Sequence, residues 1–131
     1  MAIDHVSVGV SDMTRAKRLY DAMLAPLGLA PIFPVEINGT LVGVGYGQGQ
    51  KPSFWIQFPI NHQPSTAGNG VHVAFTAPTR EAVDGFYLAA LANGAVEDGA
   101  PGLRTEYHPG YYGAFVRDHD GNKLEAVNHG F

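Results

Sequence analysis

Asp4-His5-Val6-Ser7-Val8 opens the first half of the chain, and Val71-His72-Val73-Ala74-Phe75 opens the second. With His5 set on His72, Val6 falls on Val73, Tyr20 on Tyr87, Ala22 on Ala89, Leu24 on Leu91 and Ala25 on Ala92. One strand-then-helix unit is used twice. Two imidazoles related by such a repeat supply most of a metal site if the halves fold toward each other.

Patterning extends the repeat outward. Val6, Val8 and Val10 alternate with His5, Ser7 and Gly9, which predicts a strand over 3–10 with one apolar face. Ser11-Asp12 supplies a cap. Ala16, Leu19, Tyr20, Met23, Leu24 and Leu27 then recur at helical spacing, and Gly28 ends the helix. Strands are predicted over 31–36, 40–44 and 53–58, with Asn38-Gly39 as a hairpin turn and 47–52 as a loop. The second half predicts a strand over 70–77 and a Thr79-capped helix through Val83, Phe86, Tyr87, Ala90 and Leu91, stopped by Asn93-Gly94. A short strand near 95–97, a long loop over 98–112, and a hairpin of 113–117 with 123–128 complete it. The order is βαβββ twice, an α+β fold. It forms one domain over 1–131, with modules 1–60 and 70–131 and a polar linker at 61–69.

Bulk properties narrow the function. The chain has 131 residues, 45% hydrophobic and 15% charged, which suffices for one packed core. Net charge is -4 and no basic stripe exists, so a nucleic-acid partner is not expected. No apolar run is long enough for a membrane span and the start lacks a signal peptide, so a cytoplasmic protein without a membrane partner is expected. With no cysteine, metal ligands must be His, carboxylate or amide.

Strand alternation sorts the chemistry. The valine faces meet the helices, so His5 and His72 lie on the opposite face. Leu124 and Ala126 take the helix side, which sends Glu125 to the histidine side. In the equivalent strand Phe54, Ile56 and Phe58 face the helix, while Trp55 and Gln57 point with the histidines. His5, His72 and Glu125 are a reasonable donor set for Fe(II), Mn(II), Ni(II), Zn(II) or Co(II). A lone strand histidine is more often structural, and on the residues alone both roles stay open. Gln57 is a pocket residue or a fourth ligand, and Trp55 a cavity wall.

The predicted loop 98–112 is long for a mere connection. It carries Arg104, Tyr107, His108, Tyr111 and Tyr112. His108 is a candidate general acid or base, and Tyr107 and Tyr112 are open to substrate contact or packing. Tyr111 reads as packing, and His62, His119 and His129 as surface residues. The candidate catalytic residues are therefore Glu125, His108 and Tyr107, and the candidate pocket is Trp55, Gln57, Arg104 and Tyr112.

Asp4-His5-Val6 followed by Asp12, Ala16, Tyr20 and Leu27-Gly28 resembles the first module of the vicinal oxygen chelate superfamily. That superfamily includes glyoxalase I, fosfomycin-resistance thiol transferases, bleomycin-resistance proteins and extradiol dioxygenases. Val71 to Phe75 and Asp118-His119-Asp120-Gly121-Asn122-Lys123-Leu124-Glu125 resemble its second module. Tyr46-Gly47-Gln48-Gly49, Phe54-Trp55-Ile56 and the run Tyr107 to Phe115 resemble its small bacterial glyoxalase-like members. The resemblance implies a half-open mixed-sheet barrel with outer helices, a divalent metal on His5, His72 and Glu125, and a homodimer. It implies a lyase, isomerase or oxygenase acting on a small molecule that chelates the metal through neighbouring oxygens. Glyoxalase I has a fourth ligand, a glutamate, near the position of Trp55 or Gln57. Its lack here counts against lactoylglutathione isomerisation. The alternative it implies is a metal-free, bleomycin-resistance-like binding protein.

Overall fold

The Asp12 side chain accepts from the Arg15 N–H at 3.0 Å and starts α1 (Met13–Leu24). Thr79 Oγ1 accepts from the Ala82 N–H at 3.0 Å and starts α2 (Arg80–Ala92). Each cap satisfies a donor that the first helical turn leaves unpaired. After α1 a 3-10 turn (Ala25–Leu27) ends on Gly28, whose φ of 81° is left-handed. The computed structural model describes residues 2–131, so Met1 of the expected first module lies outside the described residues.

β1 (Val6–Gly9), β2 (Ala30–Ile37), β3 (Thr40–Gln48) and β4 (Lys51–Gln57) form one sheet in the order β1-β4-β3-β2. β5 (His72–Thr76), β6 (Val96–Leu103), β7 (Tyr112–Arg117) and β8 (Lys123–Asn128) form the second, in the order β5-β8-β7-β6. In each sheet the first strand runs parallel to the last, and the other pairings are antiparallel. The expected α+β class and the doubled βαβββ order are what the chain adopts. The sheets share no strand pairing and do not close on each other. No helix among the described residues is long and apolar enough to cross a membrane.

Three of the differences from the predicted boundaries bear on the site. β1 begins at Val6, so His5 stands one residue before the paired segment. The run 47–52 shrinks to a turn at Gly49-Gln50, because Gln48 pairs with Lys51. β6 extends through residues assigned to a loop. Its register shifts between Glu97 and Gly99 and between Gly99 and Gly102, and these bulges erase the alternation that marks a strand.

The modules meet through their helix sides. Leu19, Tyr20, Met23, Ile56, Val83, Phe86, Leu124 and Ala126 are buried in one shared core. The Phe54 ring meets the Phe75 ring edge-on at 5.0 Å, joining β4 of one module to β5 of the other. The opposite face of each sheet is left open, which is where alternation sends the histidines.

Asp118, only 4% exposed, ties the modules by hydrogen bonding. Its Oδ2 accepts from the Tyr20 hydroxyl at 2.6 Å and from Asn122 Nδ2 at 2.9 Å. Its Oδ1 accepts from the Asp120 N–H at 3.0 Å and the Asn122 N–H at 2.8 Å. Asn122 Nδ2 also reaches the Gly9 carbonyl at 2.9 Å, and Asp120 Oδ2 accepts from the Ser11 N–H at 3.2 Å. The β7–β8 turn is thereby fastened to β1 and α1. Burial, and next the Asp118 charge, push the Tyr20 hydroxyl well above the ordinary tyrosine range, so it stays a donor.

Asp118→Ala strands Tyr20 and two turn amides. The expected loss is about 3 kcal/mol, read as a lower urea midpoint at unchanged m-value.

Candidate functional site on the second sheet

In β8, Leu124 and Ala126 are fully buried against the helices, and Glu125 points the other way. Although it lies on the open face, Glu125 is only 1% exposed. A buried carboxylate needs partners for both oxygens. Oε1 pairs with His72 Nε2 at 2.7 Å. Oε2 accepts from the Tyr111 hydroxyl. The carboxylate is the acceptor in both bonds, so His72 carries its proton on Nε2 and keeps Nδ1 free. The His72 side chain is 41% exposed on the open face. Burial, then the bond to Glu125, raise the Tyr111 hydroxyl well above its ordinary range, which keeps it protonated at neutral pH.

Gly113 makes this arrangement possible. A Cβ there would stand 3.0 Å from Glu125 Oε2 and 3.2 Å from the Tyr111 ring. A shared aromatic packing holds Tyr111 over that gap. Its ring lies 4.8 Å from Tyr107, 5.5 Å from His108 and 5.2 Å from His129. His108 Nδ1 accepts from the Gly110 N–H at 3.1 Å, which leaves its proton on Nε2. That Nε2–H donates to His129 Nδ1 at 2.8 Å. Both nitrogens of the expected acid–base residue His108 are thus used inside the protein. His108 and Tyr107 serve here as supports for Tyr111.

The tyrosine assignments exchange places. Tyr112, expected in the pocket, turns to the helix layer, where its hydroxyl donates to Asp84 Oδ1 at 2.7 Å beneath Arg80. Tyr111, read as packing, reaches the carboxylate. Parity contains the signal, since Phe115 pairs with Glu125 and residues 113 and 111 follow on the same face. Arg104 lies on that face, its guanidinium 5.6 Å from the Phe115 ring centre. Lys123 lies on the Glu125 face, as strand alternation predicts, and His129 joins the site unforeseen from the sequence.

The first sheet presents His5, Ser7, Trp55 and Gln57 together, as alternation predicts, around an open hollow of about 420 Å³ that Asp4, Lys51 and Pro52 complete. His5 Nδ1 bonds Asp4 Oδ1 at 2.6 Å, and Lys51 Nζ lies 3.1 Å from the same oxygen. The bond to His5, and next that to Lys51, lower the Asp4 carboxyl below its ordinary value. Trp55 packs edge-on to Phe33 at 5.6 Å as a wall.

The convergence of His5 with His72 and Glu125 does not occur within one chain. His5 leads into β1 of the first sheet, whereas His72 and Glu125 lie on β5 and β8 of the second. Among the described residues, no group of three or more His, Asp or Glu side chains is placed to hold a metal ion. His72 and Glu125 are two donors, where a divalent ion ordinarily takes three or more from protein. A single chain therefore does not fit the group.

A family model for the Glyoxalase/Bleomycin resistance protein/Dioxygenase superfamily matches residues 2–126, and the chain belongs to that superfamily. It is similar to a glyoxalase/bleomycin resistance protein from Albidiferax ferrireducens, with 38% identity, a TM-score of 0.85, and coverage of 97% of this chain and 98% of that one. It shares its fold with a glyoxalase/bleomycin resistance protein/dioxygenase family enzyme from Burkholderia phytofirmans, at 21% identity and a TM-score of 0.68 over 98% of both chains. It does so too with a glyoxalase-related enzyme from Fulvimarina pelagi, at 16% identity and a TM-score of 0.69, over 97% of this chain and 87% of that one. No curated protein matches the chain.

Tyr111→Phe leaves a buried Glu125 oxygen without its donor. The expected cost is about 1–3 kcal/mol in thermal unfolding. Gly113→Val should cost more than Tyr111→Phe, because its side chain displaces the tyrosine and the carboxylate together.

Proposed function

We propose that this protein is an enzyme of lyase, isomerase or oxygenase type. Its substrate is a small molecule carrying two neighbouring oxygens, taken on the open face of the second sheet. The observation that carries the reading is Glu125, buried on an open face and holding His72 with one nitrogen free. A carboxylate behind an imidazole fixes its tautomer and offsets the charge it gains on taking a proton. His72 is thus placed to abstract a proton beside a carbonyl, and Tyr111 keeps Glu125 in line. The face is open to water, so closure over a substrate requires a second surface.

That surface is proposed to be the first sheet of a second copy. The exposed strand edges and the two open faces suit a homodimer. Such a pairing would set the second copy's His5 opposite His72 and Glu125, because the repeat gives His5 and His72 equivalent places. Iron, manganese, nickel, zinc or cobalt bound there would take His72, Glu125 and that His5 as ligands in place of the His72–Glu125 hydrogen bond, and would supply Lewis-acid polarisation of the substrate oxygens; His72 would act as the base only in the metal-free form. A metal-free, drug-sequestering protein is the second reading, favoured by the open aromatic face of Trp55 and Phe33.

Mixing variants tests the shared site. Protein purified without an affinity tag and reloaded with each of these metals is expected to hold one ion per chain in a dimer. His5→Ala and His72→Ala should each abolish it. Dimers formed by mixing the two variants should regain one ion, since one of the two sites then has all three donors. A dimer that retains no ion under any loading would move the assignment to sequestration.

A further inference from the structure

Phe115 stands beside Glu125 on the open face, and two cations cover its ring. The Arg104 guanidinium carbon is 5.6 Å from the ring centre and Lys123 Nζ is 5.2 Å from it. The His72 ring is 6.0 Å away on the same phenyl group. The whole chain carries a net charge of -4, so two cations gathered on one apolar ring run against its bulk composition.

Neither cation has a carboxylate to itself. Arg104 has no carboxylate within ion-pair distance among the described residues; its one recorded side-chain bond runs from Nη2 to the Ala100 carbonyl at 2.7 Å. A guanidinium has five N–H donors, so most of its fork is unspent. Lys123 Nζ lies 3.7 Å from Asp98 Oδ2, an oxygen that Arg117 Nε already approaches at 3.3 Å. Glu125, on the same face, is committed to His72 and Tyr111.

The backbone is built to seat Arg104. A Cβ at Gly102 would come within 3.2 Å of Nη1, and one at Gly99 within 3.3 Å of Nη2 and 2.9 Å of the Phe115 ring. These are the two glycines at the β6 bulges. Their lack of side chains leaves room for the guanidinium beside the phenyl group. Arg104 N–H donates to the Tyr111 carbonyl at 2.7 Å, which anchors the base of the side chain.

We propose that Arg104 and Lys123 form a carboxylate-binding subsite, so that the substrate is a small carboxylic acid. This rests on the reading of His72 and Glu125 as the reactive pair. A planar carboxylate matches the unspent donors of the guanidinium fork, and Lys123, on the same phenyl ring, adds a second charge. Its neighbouring oxygen-bearing carbon then lies toward His72 Nδ1. Arg104 sets the class of substrate, and the reactive pair does the chemistry.

The test titrates the full-length, metal-free protein with sodium benzoate and, separately, with the neutral isostere benzyl alcohol and with inorganic phosphate. Amide and Arg side-chain NMR resonances are followed. Benzoate is expected to give saturable shifts at 99–104, His72 and Phe115, while benzyl alcohol at equal concentration leaves them in place. Arg104→Gln should weaken benzoate about tenfold, and Arg104→Lys should restore part of the loss. Equal shifts from benzoate and benzyl alcohol would overturn the proposal, as would Arg104→Gln with unchanged affinity. Tighter binding of phosphate than of benzoate would replace the carboxylic acid by a phosphate ester and so overturn it too. Benzoate binding retained in His72→Ala supports the subsite whether or not the reactive pair proves catalytic, which separates the two failures.

Discussion

The Asp118 carboxylate is the constraint on which the other placements depend. It is buried, and it accepts bonds from α1 and from the two amides of its own turn. Those bonds set where β8 begins, and a strand that begins one residue earlier or later exchanges its faces. Glu125 would then stand among the helices and Leu124 on the open side. The pairing of β5 with β8 adds the second condition, since it sets His72 beside Lys123 and within reach of Glu125. The β7–β8 turn thus decides which side chains the open face presents.

That face combines two kinds of polar group. Glu125, His72 and Tyr111 satisfy one another and lie inward, with one imidazole nitrogen left over. Arg104 and Lys123 are under-satisfied and lie outward on Phe115. A protein interior tolerates the first kind because the bonds are complete. The second kind persists because it keeps contact with water and rests its alkyl stems on an apolar ring. The division suits the use proposed for that face, with one part ordered by its own bonds and another left with unspent charge. The aromatic support of Tyr107, His108 and His129 fixes the pre-ordered part from behind.

Most of the fold was legible because its signals are local. Capping by Asp12 and Thr79, valine alternation in β1 and the Asn38-Gly39 turn each depend on a few adjacent residues. The repeat of His5 on His72 then implied two copies of one unit. β6 was not legible, because bulges at Gly99 and Gly102 leave no period to read. Of the site, the facing of Glu125, His72, Trp55 and Gln57 followed from parity alone. Tyr111 could have been found by carrying the same parity through Gly113, whereas Tyr112 was drawn in by its proximity in sequence. The bond between His108 and His129 spans 21 positions, and no local pattern announces it.

What the sequence determined by itself was the pair of βαβββ modules and the face of its strand on which each polar side chain stands. These follow from the two-residue period of a strand and the 3.6-residue period of a helix. Only the tertiary structure decided which faces meet. Burial of Phe54, Phe75, Phe86 and Leu19 in one core joins the modules through their helix sides, and no periodicity encodes that choice. As a result His72 and Glu125 come together while His5 stands on the other sheet, because contact between elements far apart in the chain is set by apolar burial summed over both modules.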